Sequence, residues 1–151
     1  MIMPAEWEAH FATWLAWPKN PETFFDIERV EEAYVTAIKE LVKGEKVFLL
    51  VDDEETKGKV LKKTGKHDNL QIKIIPTVDV WIRDYGPTFL TKTKAVKWTF
   101  NAWGMKYADL AEDNKVPYEM QKTEKIDLKE AGIVLEGGSI DVNGKGTIIT
   151  T

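Results

Sequence analysis

Eight consecutive residues, Val80-Trp81-Ile82-Arg83-Asp84-Tyr85-Gly86-Pro87, set a charge pair between a tryptophan and a Gly-Pro turn, directly after the strand-like run Leu70 to Ile75. Strand interiors avoid Asp, and a Tyr-Gly-Pro turn at a strand end re-aims the chain where side chains can converge on a ligand. The segment therefore reads as one wall of a binding site. A plain structural alternative stands beside it: an Arg83 to Asp84 ion pair capping a tight turn. A second acid, Glu136, lies between an apolar run and Gly137-Gly138. Surface decoration explains that placement poorly, because paired glycines permit close backbone approach to a ligand.

The nucleophile and ligand inventory is short. Cysteine is absent, which removes disulfides, zinc-thiolate sites and thiol nucleophiles from this sequence. The two histidines, His10 and His67, are far apart and have no clustered acidic partners. No metal site and no cofactor is expected.

With 151 residues, 43% of them hydrophobic, the chain can bury a real core and fits one domain or a piece of a larger one. A net charge of −4 and a pI near 5.3 argue against a nucleic-acid footprint and suit a small cationic ligand. No apolar run approaches the roughly eighteen residues needed to span a bilayer, and Met1 to Ala5 has no secretion-signal character. The expected compartment is the cytoplasm, with no membrane partner.

The elements that must position Asp84 and Glu136 can be read in order. Phe11 to Trp17, closed by Pro18, reads as a strand. From Asp26 to Lys43, Ile27, Val30, Tyr34, Ala37, Ile38 and Leu41 recur at helical spacing, with acids early, bases late and Gly44 as a left-handed stop. Lys46 to Val51 reads as a strand covered on both faces. Asp52-Asp53 caps a second helix to about Lys63, ended by Gly65. Its lysines and Lys66 lack interleaved aromatics and read as a solvated face rather than a phosphate or nucleic-acid site. His67 falls in the surface loop that follows.

Thr88 to Thr91 and Ala95 to Phe100 form an expected hairpin. Asp109 to Lys125, polar and interrupted by Pro117, reads as loop with at most a short helix around Tyr118 to Lys122. Gly132 to Leu135 resumes as strand, and a second hairpin turns at Asn143-Gly144-Lys145-Gly146. The whole is mixed α/β without a linker, so residues 1 to 151 are expected to form a single domain portion with no internal boundary. Trp14, Trp17 and Trp98 read as core and Arg83 as structural, orienting Asp84 or a neighbouring acid.

Five stretches together resemble the agmatine deiminase family, within the guanidino-group-modifying enzymes of pentein fold. They are Met3-Pro4-Ala5-Glu6-Trp7-Glu8, Thr13-Trp14-Leu15-Ala16-Trp17-Pro18, Val80 to Pro87, Phe100-Asn101-Ala102-Trp103-Gly104 and Leu135-Glu136-Gly137-Gly138-Ser139-Ile140. The resemblance covers essentially the whole chain. It implies about two blades of a five-bladed α/β propeller, the N-terminal portion of an enzyme that converts agmatine to N-carbamoylputrescine and ammonia in polyamine synthesis. By the same resemblance Asp84 and Glu136 match the catalytic-site acids that hold the substrate guanidinium, and Trp81 and Trp103 match walls of its pocket. The family's His-x-Asp motif and C-terminal Cys have no counterpart here. His10 and His67 do not replace them.

The carried-over roles agree with elementary chemistry. A planar guanidinium pairs bidentately with carboxylates and stacks on aromatic faces, so two acids from separate loops beside an indole make a natural cradle. Attack on the central carbon needs a thiolate and an acid/base that this sequence lacks. This chain alone is therefore expected to be inactive. Other readings are a non-catalytic guanidine-binding or assembly module, an arginine or peptidyl-arginine deiminase-like fragment and, least supported, a macromolecule-binding pentein-like domain. The sequence stops at Thr150-Thr151 inside a strand-like run, and part of a propeller leaves strand edges and residues such as Ile148 and Ile149 uncovered. Self-association, a complementary chain or marginal stability is the expected consequence.

Overall fold

The computed structural model describes residues 2–151 and divides into two compact units, His10–Ile82 and Arg83–Thr151, the latter joined by the N-terminal residues up to Ala9. Both are mixed α/β.

In the His10–Ile82 unit, β1 (Ala12–Ala16), β2 (Lys46–Val51) and β3 (Leu70–Ile74) form a parallel sheet in that order, linked by α1 (Ile27–Leu41) and α2 (Glu54–Thr64). The apolar run of β2 puts it in the centre: Val47 to Val51 are all buried. Val47, Leu49 and Val51 alternate onto the face where Ile38 and Val42, Trp17 and the α2 residue Val60 complete the core. Trp14 packs on Phe48 at 4.6 Å between ring centroids.

The helix ends follow their sequence signals in part. The Asp26 side chain accepts the Arg29 N–H at 3.1 Å, and Asp53 accepts that of Thr56 at 2.7 Å, each meeting a donor that the first turn leaves unpaired. Gly65, at φ +80°, takes the conformation that ends α2. Gly44 does not end α1 in this way. The last turn closes at Val42 in right-handed geometry, and successive turns carry the chain to β2. The α2 lysines form a solvated face, with Lys57 on Glu54, Lys59 on Glu55 and Lys63 on Glu31 of α1. His67 Nε2 donates to the Thr64 carbonyl, 3.0 Å away.

A residue with no warning in its sequence context closes this unit. Asp79 is fully buried, and its carboxylate accepts the Asn20 amide at 3.1 Å, the Thr23 hydroxyl and its own neighbour's N–H at Val80, 2.7 Å away. Burial, and then the nearby Asp79 charge, push the Tyr34 hydroxyl above its usual range. Removing the carboxylate orphans donors from three positions, at about 1–3 kcal/mol for each left unsatisfied. Asp79→Ala is accordingly expected to cost about 2–4 kcal/mol in a denaturant melt, against less than about 0.5 kcal/mol for an exposed control such as Asp68→Ala.

In the other unit, β4 (Thr88–Phe89) and β5 (Lys94–Thr99) form the hairpin, and β6 (Asp127–Val134) adds in parallel to β5. β7 (Ile140–Val142) and β8 (Ile148–Thr150) pair as a separate antiparallel ribbon. The Trp98 indole donates to the Thr88 hydroxyl across the hairpin at 2.9 Å. Residues 108–124 are not loop. A 3-10 helix, Ala108–Lys115, runs into an α-helix, Val116–Glu124, and Pro117 falls in its first turn, where a missing N–H costs nothing. No helix among the described residues is long and apolar enough to cross a membrane.

Candidate functional site

The wall segment folds as a single helical turn, α3 (Ile82–Tyr85), anchored by the fully buried Tyr85. Tyr85 packs on Phe100, and Phe100 on Trp103, as edge-to-face pairs at 6.0 and 5.3 Å. This aromatic row joins the Asp84 turn to the Trp103 turn.

Asp84 is half-buried, and its Oδ1 accepts the Gly138 N–H at 3.0 Å while the Trp103 indole also donates to its carboxylate. Desolvation outweighs these bonds and the Arg83 charge, so its carboxyl sits above the ordinary aspartate value of 3.8. Since the folded state disfavours the ionised form, this contribution to stability is full below 3.8 and lost as pH rises through the raised value. Ionising the group therefore carries a desolvation cost that a nearby cation would offset.

Arg83 does not pair with Asp84 as a turn cap. Its guanidinium donates to the carbonyls of Gly137 at 3.1 Å and Ile140 at 3.5 Å and forms an ion pair with Glu6. It ties three segments of the unit together, and the opening motif contributes through Glu6. Glu136 precedes the turn Gly137–Ser139, whose Ser139 N–H and hydroxyl both bond to the Glu136 carbonyl. The Glu136 side chain is half-buried and has no hydrogen-bond or ion-pair partner among the described residues.

Gly137 and Gly138 serve a purpose other than making room for a ligand. A Cβ on Gly137 would overlap the Arg83 carbonyl oxygen, and one on Gly138 would overlap Asp84 Oδ1. The glycines let the Glu136 turn lie against the Asp84 turn. Gly138→Ala should displace the Asp84 carboxylate and cost about 1–3 kcal/mol, and Gly137→Ala, which meets rigid backbone, should cost more. Urea melts of the two variants check the order; equal stability to wild type would show that the two turns are not in contact.

Trp103 is held in strain. Ala102, Trp103, Gly104 and Met105 all have positive φ, between 52° and 74°, a run of left-handed residues of which only one is glycine. Each non-glycine member costs roughly 1–2 kcal/mol. The Asn101 side chain stabilises the turn by accepting the Gly104 N–H at 2.8 Å. Such strain persists where a side chain must be aimed, and here it aims the Trp103 indole at Asp84.

Of the four residues singled out in the sequence, three therefore meet in one unit: Asp84, the turn that Glu136 opens, and Trp103. Trp81 lies at the end of the other unit, 39% exposed. Sequence reasoning missed Lys97, buried on β5, and Asp79. A lysine at an alternating inward position, beside Ala95, was the available signal for the first.

The chain is 37% identical to an agmatine deiminase of Stutzerimonas stutzeri and 36% to one of Ectopseudomonas mendocina, in each case over 99% of this chain and 43% of the relative. A substrate-bound agmatine deiminase from C. jejuni superposes with a TM-score of 0.83 at 30% identity, over 99% of this chain and 45% of that one. The chain thus spans less than half the length of these relatives. Matching the family model over residues 2–151, it belongs to the Porphyromonas-type peptidyl-arginine deiminase family.

Proposed function

We propose that this chain is the N-terminal portion of a single agmatine deiminase-like domain and supplies the guanidinium cradle of a hydrolase that converts agmatine to N-carbamoylputrescine and ammonia. The observation that carries the reading is the Asp84 carboxylate, fixed by the Gly138 N–H and the Trp103 indole, beside a turn whose Glu136 side chain has no hydrogen-bond or ion-pair partner among the described residues. Asp84 and Glu136 accept the guanidinium N–H groups and hold the central carbon in place, while Trp103 walls the cation. In the reaction water replaces one nitrogen as ammonia, leaving a ureido group. The sequence has no cysteine to supply a thiol for this step, and its two histidines, His10 and His67, are engaged elsewhere. The two α/β units suit two blades of a propeller, and the exposed Ile133, Val134, Ile148 and Ile149 suit association with itself or with a complementary chain.

The family model's name, with its peptidyl-arginine substrate, favours a second reading in which the cradle takes arginine in a peptide. Calorimetry on the 151-residue chain separates the two: agmatine is expected to bind more tightly than an arginine-containing peptide, and the reverse order would transfer the proposal to peptidyl-arginine. Binding needs ionised Asp84, so affinity should fall on acidification, starting above the ordinary aspartate range because the carboxyl is raised. Failure to bind any guanidino compound would leave a non-catalytic assembly module.

A further inference from the structure

Lys97 is 4% exposed, yet it has no carboxylate within ion-pair distance among the described residues. Its ammonium donates to the Trp98 carbonyl at 3.1 Å and to Asn114 Oδ1 at 2.9 Å, and lies 5.0 Å from the Tyr118 ring centroid. Tyr118 in turn donates its hydroxyl to Glu130 at 2.8 Å, whose charge partly offsets the effect of burial on Lys97. The β5–β6 ladder is irregular between Lys97 and Thr99, and there the lysine meets the Trp98 carbonyl. Burial pushes the ammonium below its usual range. A buried cation is expensive, and an apolar side chain of similar length would serve packing better. Something other than packing accounts for it.

Asn114 links it to the site. The same Oδ1 that accepts Lys97 accepts the Phe100 N–H at 2.9 Å. Two donors converging on one oxygen decide which end of the amide faces them, and hence fix Phe100, two residues before the strained Ala102–Met105 turn begins. Phe100 also carries the edge-to-face contacts to Tyr85 and Trp103. We propose that Lys97, acting through Asn114, is a positioning residue that pins the base of the left-handed turn and so holds the Trp103 indole on Asp84. Its relevance to the guanidinium rests on the function proposed above, but the positioning itself does not.

The test follows the Trp103 indole N–H by 15N-labelled NMR of the 151-residue chain, with Trp103→Phe assigning the signal, alongside thermal melting and agmatine calorimetry. Lys97→Met is expected to shift that signal towards a free indole and to weaken agmatine binding roughly three- to tenfold, the worth of one hydrogen bond, without lowering the melting temperature. Asn114→Asp keeps an acceptor for both donors and should retain the wild-type signal; Asn114→Leu should reproduce Lys97→Met if the latter folds poorly. An unchanged Trp103 signal in folded Lys97→Met or Asn114→Leu overturns the proposal. A shifted indole in a protein whose wild type binds no agmatine upholds the positioning role and sinks the substrate assignment instead.

Discussion

Asp84→Asn or Glu136→Gln, introduced into a full-length deiminase carrying this N-terminal portion, is expected to lower kcat/KM on the order of a hundred- to several-thousand-fold. The figure is the equivalent of the roughly 3–5 kcal/mol lost when a buried ionic partner is removed. Both substitutions keep shape and hydrogen-bonding capacity at one oxygen, so the loss reports charge. For Asp84 the argument is stronger, because its ionised form is already disfavoured by burial and is held by the Gly138 N–H and the Trp103 indole. An approaching cation offsets that cost of ionisation, so removing the charge removes the group's main attraction for it. The loss for Asp84→Asn should fall on kcat as well as KM, since a misplaced guanidinium presents its carbon poorly to a nucleophile. Near-normal kinetics in both variants, with melting unchanged, would make these acids structural.

The elements legible in the sequence were those whose signal is local. Helical spacing from Ile27 to Leu41, the apolar run Val47 to Val51 and the caps at Asp26 and Asp53 each state their own conformation. The helix over residues 116–124 was obscured because Pro117 reads as a breaker until its first-turn position is known. The left-handed turn at Trp103 has no local signature: Ala102 and Met105 disfavour positive φ, and only the surrounding contacts enforce it. Gly137 and Gly138 were recognised as close-approach residues, but the approaching group is the Asp84 turn, a partner about fifty residues away that spacing cannot reveal. Asp79 and Lys97 were missed for a related reason. Polar residues are read as exposed unless their partners are known, and the partners of both are distant in sequence.

The largest expected effect is an absence of turnover. A cradle lowers the barrier only if something attacks the carbon it presents, and the ordinary nucleophile for a guanidinium, a thiolate, cannot be supplied by a sequence with no cysteine. Hydroxyl groups are present, but activation would require an adjacent base. The described histidines are committed elsewhere, His10 beside Glu45 at 3.2 Å and His67 at the Thr64 carbonyl. Ser139, the hydroxyl nearest the Glu136 turn, donates to the Glu136 carbonyl rather than to a base. The 151-residue chain should therefore bind agmatine yet release ammonia no faster than its Asp84→Ala variant, as followed by a coupled ammonia assay over hours. Release above that control, abolished by Ser139→Ala, would identify a hydroxyl nucleophile and require a different mechanism from the thiol chemistry proposed for the complete enzyme.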